Sequence, residues 1–264
     1  MVGPAYETID VDEDGPVCTV SLNRPDVRNA FNRRAIVELS DVFTSLASRE
    51  DIRVVILRGN GKSFSAGADA EWMAESLQYS RAENVTEARE MAGMFAVIDQ
   101  LPQPIVARVH GAALGGGLGL MAVSDIVVVS EDALFGFTET RLGILPAVIS
   151  TFVLPKIGES WARALFTTGE RFDAEMAHRI GLVHWIAPAQ DLDAVVADKV
   201  QALLAGGPLA VRSAKSLIRE IRGLEQEDLF AMTASRIAEA RAGVEGQEGL
   251  TAFLEKRRPS WSGS

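Results

Sequence analysis

The stretch HGAALGGGLGLMAVSD, His110–Asp125, decides how the rest of the chain is interpreted. Five of the nine residues 111–119 are glycine. Glycine is a poor helix former and loses much backbone entropy on folding, so this density indicates that something approaches the backbone closely. The apolar runs PIVARV and DIVVVS on either side are predicted to be strands. A strand that leads directly into a helix presents unpaired N–H groups at the positive end of the helix dipole, which suits an anion or an oxyanion.

A second glycine-bearing turn, FSAGADAEWM at Phe64–Met73, follows the predicted strand RVVILRG and also opens a helix. Two such turns after parallel strands can each supply one N–H to the same carbonyl oxygen as it becomes an oxyanion. Two ordinary tight turns are the alternative, and spacing alone leaves both interpretations open.

The remaining patterns predict an α/β fold. YETIDV and PVCTVSL, separated by the acidic turn DEDGP, predict a hairpin, and the region from about 70 to 101 is expected to be largely helical. Strands alternating with helices indicate parallel pairing through crossovers. From about 190 onward four helical segments follow with no strand between them. We therefore expect a core over residues 1–190 and a helical region over 191–264 that packs on another subunit or on the core.

Composition narrows the function classes. The chain has 264 residues, 47% of them hydrophobic, a formal charge of −10 and a single cysteine, Cys18. The acidic balance disfavours nucleic acid as a partner, since such binding depends on a basic surface. No apolar stretch is long enough for a membrane span, so we expect a cytoplasmic protein without a membrane partner. The three histidines have no metal-ligand spacing, and no metal is predicted.

Two short motifs are rejected as nucleotide sites. GLGLMA at Gly117–Ala122 fits a dinucleotide fingerprint, but the helix that it opens is too short for a dinucleotide crossover. GKS at Gly61–Ser63 lacks the earlier glycine of a phosphate loop, because that position is Ile56. His184 is interpreted as structural, whereas His110 borders the glycine segment and stays a candidate.

Several motifs together resemble the crotonase superfamily, the enoyl-CoA hydratases and isomerases. They are FSAGAD, ARVHGAALGGGLGL, TETRLGILPAV, TTGERFDAEMAHRIGLVHWI and FLEKRR, in this order along almost the whole chain. The resemblance implies a spiral of strand-strand-helix turns with a helical C-terminal region used for trimerisation. It also implies a homotrimer or a dimer of trimers, and a coenzyme A thioester as substrate with no separate cofactor.

By position in these motifs, the resemblance assigns the two oxyanion-hole N–H groups to Ala68 and Gly116. The glycines would then let the thioester approach the backbone without a Cβ in the way. The positions that line the coenzyme A groove or reach a neighbour's coenzyme A match Arg28, Ala30, Ala66, Ala68, Phe253 and Lys256. For Arg28 and Lys256 an ordinary solvated surface charge is the alternative.

The resemblance assigns the acid/base role to Glu139, whose carboxyl group would gain a suitable pKa from partial burial. The family's hydratases carry another glutamate two residues after GGG, where this chain has Gly119. GGGLGL, ETRLG and PAVIS are similar to hydratases of the methylglutaconyl-CoA type, which favours hydration of a 2-enoyl-CoA. A double-bond isomerase that uses the single glutamate is the first alternative. A non-catalytic module that binds acyl-CoA or RNA is the alternative from another class.

Overall fold

Residues 6–263 are described in a computed structural model of the chain, and they form two sheets surrounded by helices. The first five residues and Ser264, which the two predicted regions include, lie outside the described residues. The strands are β1 (Ile9–Asp14), β2 (Val17–Leu22), β3 (Val54–Gly59), β4 (Ile105–Val109), β5 (Ala112–Leu114), β6 (Ile126–Ser130), β7 (Leu134–Gly136), β8 (Arg171–Asp173) and β9 (Trp185–Ala187).

The larger sheet has the order β1-β2-β3-β4-β6-β9. Its first two strands are antiparallel, and the pairs from β2 to β9 are parallel, as predicted. The predicted hairpin is present, but its acidic residues 12–14 lie in β1 and not in the turn. An edge strand accommodates them, because almost all side chains of β1 face solvent and charge on an edge opposes further pairing.

The smaller sheet has the order β5-β7-β8, and β5 directly precedes the glycine segment. An isolated bridge pairs Ser65 with Ala113 of β5. The turn after β3 is thereby attached to the strand that leads into the glycines. This attachment places the two glycine-bearing turns next to each other.

The helices fall into a group within the core and a C-terminal group. The first group is α1 (Arg33–Ala47), α2 (Ala70–Ser76), α3 (Arg81–Asp99), α4 (Gly116–Ala122), α5 (Ala147–Thr168) and α6 (Ala174–Arg179). The second is α7 (Leu192–Ala205), α8 (Pro208–Glu220), α9 (Gln226–Ala242) and α10 (Val244–Leu254). Four short 3-10 helices occupy Pro25–Val27, Thr138–Leu142, Ala189–Asp191 and Ser260–Gly263.

One large hydrophobic core lies between the sheets and the helices of the first group. The apolar faces of α1 and α3 belong to it, including Leu39, Phe43, Phe95 and Ile98. Cys18 is fully buried there, and burial raises the pKa of its thiol to about 12.

The helix α7 closes the opposite face of the larger sheet. Val196 and Val200 of α7 form a second apolar cluster with Val54, Val106 and Val128 of three neighbouring strands. The first helix of the C-terminal region therefore contributes to the core of the same chain, whereas α8, α9 and α10 expose many apolar side chains.

None of the described helices is by itself both long and apolar enough to cross a membrane. Only the pair Ala189–Ala205 and Pro208–Glu220, bent by 103°, reaches that length and composition together.

Candidate active site

Two glycines in left-handed backbone conformations bring the two turns together. Gly67 has φ +91° and Gly115 has φ +48°, a region that other residues adopt only with strain. A Cβ built on Gly115 would lie 3.9 Å from the Gly67 Cα, and one built on Gly67 would lie 3.0 Å from the Leu114 carbonyl oxygen. The turns after β3 and β5 are thus in contact, in the arrangement that an oxyanion hole requires.

Each turn leaves at least one N–H without an acceptor among residues 6–263. Phe31 pairs with the first turn on both sides of Ala68: its N–H donates to the Gly67 carbonyl (2.7 Å), and its carbonyl accepts from the Asp69 N–H (2.8 Å). The Ala68 N–H therefore faces away from this ladder. Gly116 is the first residue of α4, where a helix has no internal acceptor for the N–H. Both residues are half-buried.

Phe31 and Ser65 also pack against the glycine segment. A Cβ at Gly116 would lie 2.7 Å from the Phe31 ring, and one at Gly117 would lie 2.9 Å from the Ser65 carbonyl oxygen. By the family resemblance, these glycines are expected to let a thioester approach the backbone without a Cβ in the way. The structure adds that contacts within the chain already exclude a side chain at both positions.

Glu139 lies beside the two turns in the 3-10 helix Thr138–Leu142. Its Oε1 is 3.1 Å from the Cβ position of Gly115, and its Oε2 is buried with no hydrogen-bond partner among the described residues. Burial raises the pKa of this carboxyl group. A desolvated carboxyl with a free oxygen atom is a suitable proton acceptor and donor.

A cavity of about 210 Å³ connects these groups. Its walls include Ala68, Gly116 and Glu139, together with a mostly apolar lining from Met73, Met91, Leu142 and residues 144–149. Glu139 and Thr138 carry its only hydroxyl or carboxyl side chains among the described residues. The cavity is suited to an apolar acyl group whose carbonyl lies on the two N–H groups.

Gly119 has no room for a side chain. Its Cβ would lie 2.6 Å from Ile149 Cγ2 and 2.7 Å from the end of the Phe95 ring. The position at which the related hydratases carry a glutamate is therefore filled by packed apolar groups. Glu139 is left as the single carboxylate in the cavity.

The predicted coenzyme A positions in the N-terminal half adjoin this site. The Ala66 N–H donates to the Arg28 carbonyl oxygen (2.9 Å), so the segment with Arg28 and Ala30 runs beside the segment with Ala66 and Ala68. Arg28 is exposed with φ 53°, Ala30 is buried, and Ala66 and Ala68 line the cavity.

The C-terminal candidates are not brought to the cavity of this chain. Phe253 is 79% exposed at the end of α10, and Lys256 is exposed in the following turn. Neither lines the cavity. Their assignment to a neighbour's coenzyme A stays a prediction.

The histidines lie outside the cavity. His110 Nε2 donates to the Gly61 carbonyl (2.8 Å), and its Nδ1 is 3.0 Å from Arg108, in a separate polar groove. His184 accepts a hydrogen bond from the Val127 N–H, as expected for a structural residue. No group of three or more metal-binding side chains is arranged for a metal ion within residues 6–263.

The family model of enoyl-CoA hydratase/isomerase matches residues 12–264. The chain belongs to the enoyl-CoA hydratase/isomerase family. This membership confirms the resemblance to the crotonase superfamily, the predicted α/β fold and the expectation of an enzyme.

Individual relatives cover nearly the whole of this family member. It is 34% identical to the 2,3-dehydroadipyl-CoA hydratase of Escherichia coli, over 94% of this chain and 95% of the relative. It is 32% identical to the crotonyl-CoA hydratase of Syntrophomonas wolfei, over 97% of this chain and 98% of that relative. The crystal structure of an enoyl-CoA hydratase from Shewanella pealeana superimposes with a TM-score of 0.93 at 37% identity, covering 97% and 96% of the two chains.

Sequence reasoning missed most of the cavity wall in this hydratase/isomerase family member. Phe31, Met73, Thr138 and Ile149 are brought together from four separate segments. No periodicity links them, and only the motif TETRLG drew attention to the neighbourhood of Thr138.

Proposed function

We propose that this enzyme hydrates a 2-enoyl-CoA thioester. The observation that carries the proposal is the position of Glu139, which places a desolvated carboxyl group with a free oxygen beside two N–H groups that have no acceptor in the described chain. Family membership and relatives named as hydratases support the same reaction.

The geometry supports a mechanism with a single acid/base group. The thioester oxygen accepts hydrogen bonds from the N–H groups of Ala68 and Gly116, which polarises the conjugated double bond. The Glu139 carboxylate takes a proton from water as the water oxygen adds to C3. The enolate forms in the oxyanion hole, and Glu139 returns the proton to C2. Each lost oxyanion donor typically costs about a hundredfold to a thousandfold in rate.

The lining of the cavity favours an uncharged acyl chain. No lysine, arginine or histidine lies among the lining residues of the described chain. A second carboxylate, as in methylglutaconyl-CoA, requires a compensating cation when it is buried. The methylglutaconyl-CoA type, which the sequence resemblance suggests, therefore ranks below a short apolar enoyl chain.

Isomerisation is the second candidate, and the surroundings of Gly119 favour it. A 1,3 proton shift needs one base that removes and returns a proton, and Phe95 and Ile149 leave no space for a second glutamate. Such a reaction uses the same oxyanion hole without water.

Assembly into a trimer, or a dimer of trimers, is proposed from the family resemblance and from the apolar surface of α8, α9 and α10. Leu209, Ile218, Phe230 and Ile237 are each more than half exposed in the single chain. Apolar side chains at this density indicate a surface that is covered by another protein. This arrangement would also bring a neighbour's Phe253 and Lys256 within reach of coenzyme A.

Mass-resolved turnover of a small panel of thioesters tests the function. Crotonyl-CoA is expected to gain one water, and faster than 3-methylglutaconyl-CoA. Movement of the double bond of a 3-enoyl-CoA without a change in mass, together with no hydration, would establish the isomerase instead. Tight binding of all three thioesters without turnover would identify a binding module.

A further inference from the structure

A water molecule that attacks a double bond needs more than one contact to be oriented. Glu139 can accept a hydrogen bond from one O–H group of the water, but the other O–H group then has no acceptor on this carboxylate. Gly119 carries no polar side chain, and Phe95 and Ile149 occupy the space into which a side chain at this position would extend. The second contact must therefore come from another part of the wall.

Thr138 supplies the other polar side chain of the lining. It is the first residue of the 3-10 helix that carries Glu139, so both side chains start from the same rigid turn. Its methyl carbon is the atom nearest to the Cβ position of Gly136, at 3.2 Å, which places the methyl group against β7.

The hydroxyl group of Thr138 is available for a ligand. It forms no hydrogen bond within residues 6–263, and it is not among the buried orphan atoms, whereas the hydroxyl of Thr140 two residues later is buried and unpartnered. An accessible hydroxyl without a protein partner, on a residue that lines the cavity, is a suitable contact for an ordered water.

We propose that the Thr138 hydroxyl holds the attacking water together with Glu139 and replaces the second glutamate of the related hydratases. This inference rests on the proposed hydration of a 2-enoyl-CoA. In the step, one O–H bond of water breaks and its proton goes to the Glu139 carboxylate, while the water oxygen forms the new bond to C3. The other O–H bond stays intact, donates to Thr138 Oγ1 throughout and becomes the hydroxyl group of the product. Glu139 then gives its proton to C2, so that one molecule of water is added in total.

The test compares Thr138→Val, which keeps the shape but removes the hydroxyl, with the matched control Thr138→Ser, which keeps the hydroxyl. For hydration of crotonyl-CoA we expect kcat to fall roughly tenfold to a hundredfold in Thr138→Val, the scale of a lost hydrogen bond in a transition state. Thr138→Ser is expected to stay within about threefold of the wild type, since a net hydrogen bond is retained.

A second readout separates water orientation from proton transfer. Exchange of the C2 protons of butyryl-CoA in deuterated water requires Glu139 and the oxyanion hole but no attacking water. It should proceed at the wild-type rate in Thr138→Val. Equal hydration rates in Thr138→Val and wild type would overturn the inference, and so would a parallel loss of exchange, which would indicate a displaced Glu139. A wild-type enzyme that exchanges protons but adds no water would refute the proposed hydration and, with it, the assignment of an attacking water to Thr138.

Discussion

At the scale of single residues, the proposed acid/base chemistry depends on Glu139. The carboxyl group is buried beside Gly115, and one oxygen has no partner in the described chain. Desolvation raises its pKa, which costs stability in the ionised form but improves the carboxylate as a base. A group of this kind is expected where function, and not stability, determines the residue.

The stability of the wild type relative to Glu139→Gln should therefore depend on pH. Because the folded-state pKa lies above the ordinary value of 4.5, the protonated wild type retains full stability below that pH and loses stability as pH rises through the raised value. We expect the glutamine variant to be more stable than wild type at pH 8, and the difference to shrink as pH falls towards 5. Urea denaturation at both pH values measures it. A wild type that is the more stable protein at pH 8 would contradict the assigned desolvation.

Gly119 tests the packing of α4 against Phe95 and Ile149. A glutamate there would meet Phe95 and Ile149 at less than 3 Å, so Gly119→Glu should destabilise the fold by about 1–3 kcal/mol from overpacking, and more from the buried charge. Gly93→Glu is the matched control, because Gly93 is also helical but has no neighbour within 4 Å of its Cβ position. Denaturation midpoints of the two variants should differ clearly. Similar midpoints would mean that Phe95 and Ile149 move aside easily.

At the scale of elements, a partly buried ion pair joins the segment before α1 to the turn that follows β3. Arg24 Nη1 lies 2.7 Å from Asp69 Oδ2 and also donates to the Ala30 carbonyl oxygen (2.6 Å). The Asp69 carboxylate in turn caps α2 by accepting from the Glu71 N–H. One guanidinium group thus connects the predicted coenzyme A segment with the turn that carries the Ala68 N–H.

Loss of this connection should be costly. Arg24→Gln leaves the Asp69 carboxylate, 6% exposed, without its cation, and removal of one partner of a buried pair costs up to about 3–5 kcal/mol, an upper bound here because Arg24 is 21% exposed. Arg33→Gln is the control, because its pair with Glu90 is largely exposed and such pairs contribute little to stability. Chemical denaturation distinguishes them. Equal losses in the two variants would show that the Arg24 pair is an ordinary surface contact.

At the scale of the whole molecule, the strands β1, β2, β3, β4 and β6 and the helices α2 and α3 were predictable, because their segments carry apolar runs or a hydrophobic period. The strands β5, β7, β8 and β9 were not, since three residues are too few to show a period. Ala68, Gly116 and Glu139 were located by motif, and the structure places all three in one cavity. The packing around Gly119 and the accessible hydroxyl of Thr138 depend on contacts between distant segments, which a single sequence does not reveal.

The exposed apolar side chains of the C-terminal helices predict an oligomer. We expect the wild type to sediment as a trimer or a multiple of it. Glutamate at both Phe230 and Ile237 of α9, which are 63% and 51% exposed, should favour smaller species, because burial of charge opposes association. Circular dichroism should show an unchanged helix content. A wild type that sediments as a monomer at micromolar concentration would contradict the proposed assembly.

Addition of water to a conjugated thioester by Glu139 and the oxyanion hole can be followed directly. Crotonyl-CoA is turned over in 18O-labelled water by the wild type and by Glu139→Gln, and the product is identified by mass. We expect the wild type to incorporate one labelled oxygen, and the variant to bind the thioester but to turn it over about a hundredfold or more slowly. Equal rates in the two proteins, or no labelled product from the wild type, would contradict this mechanism.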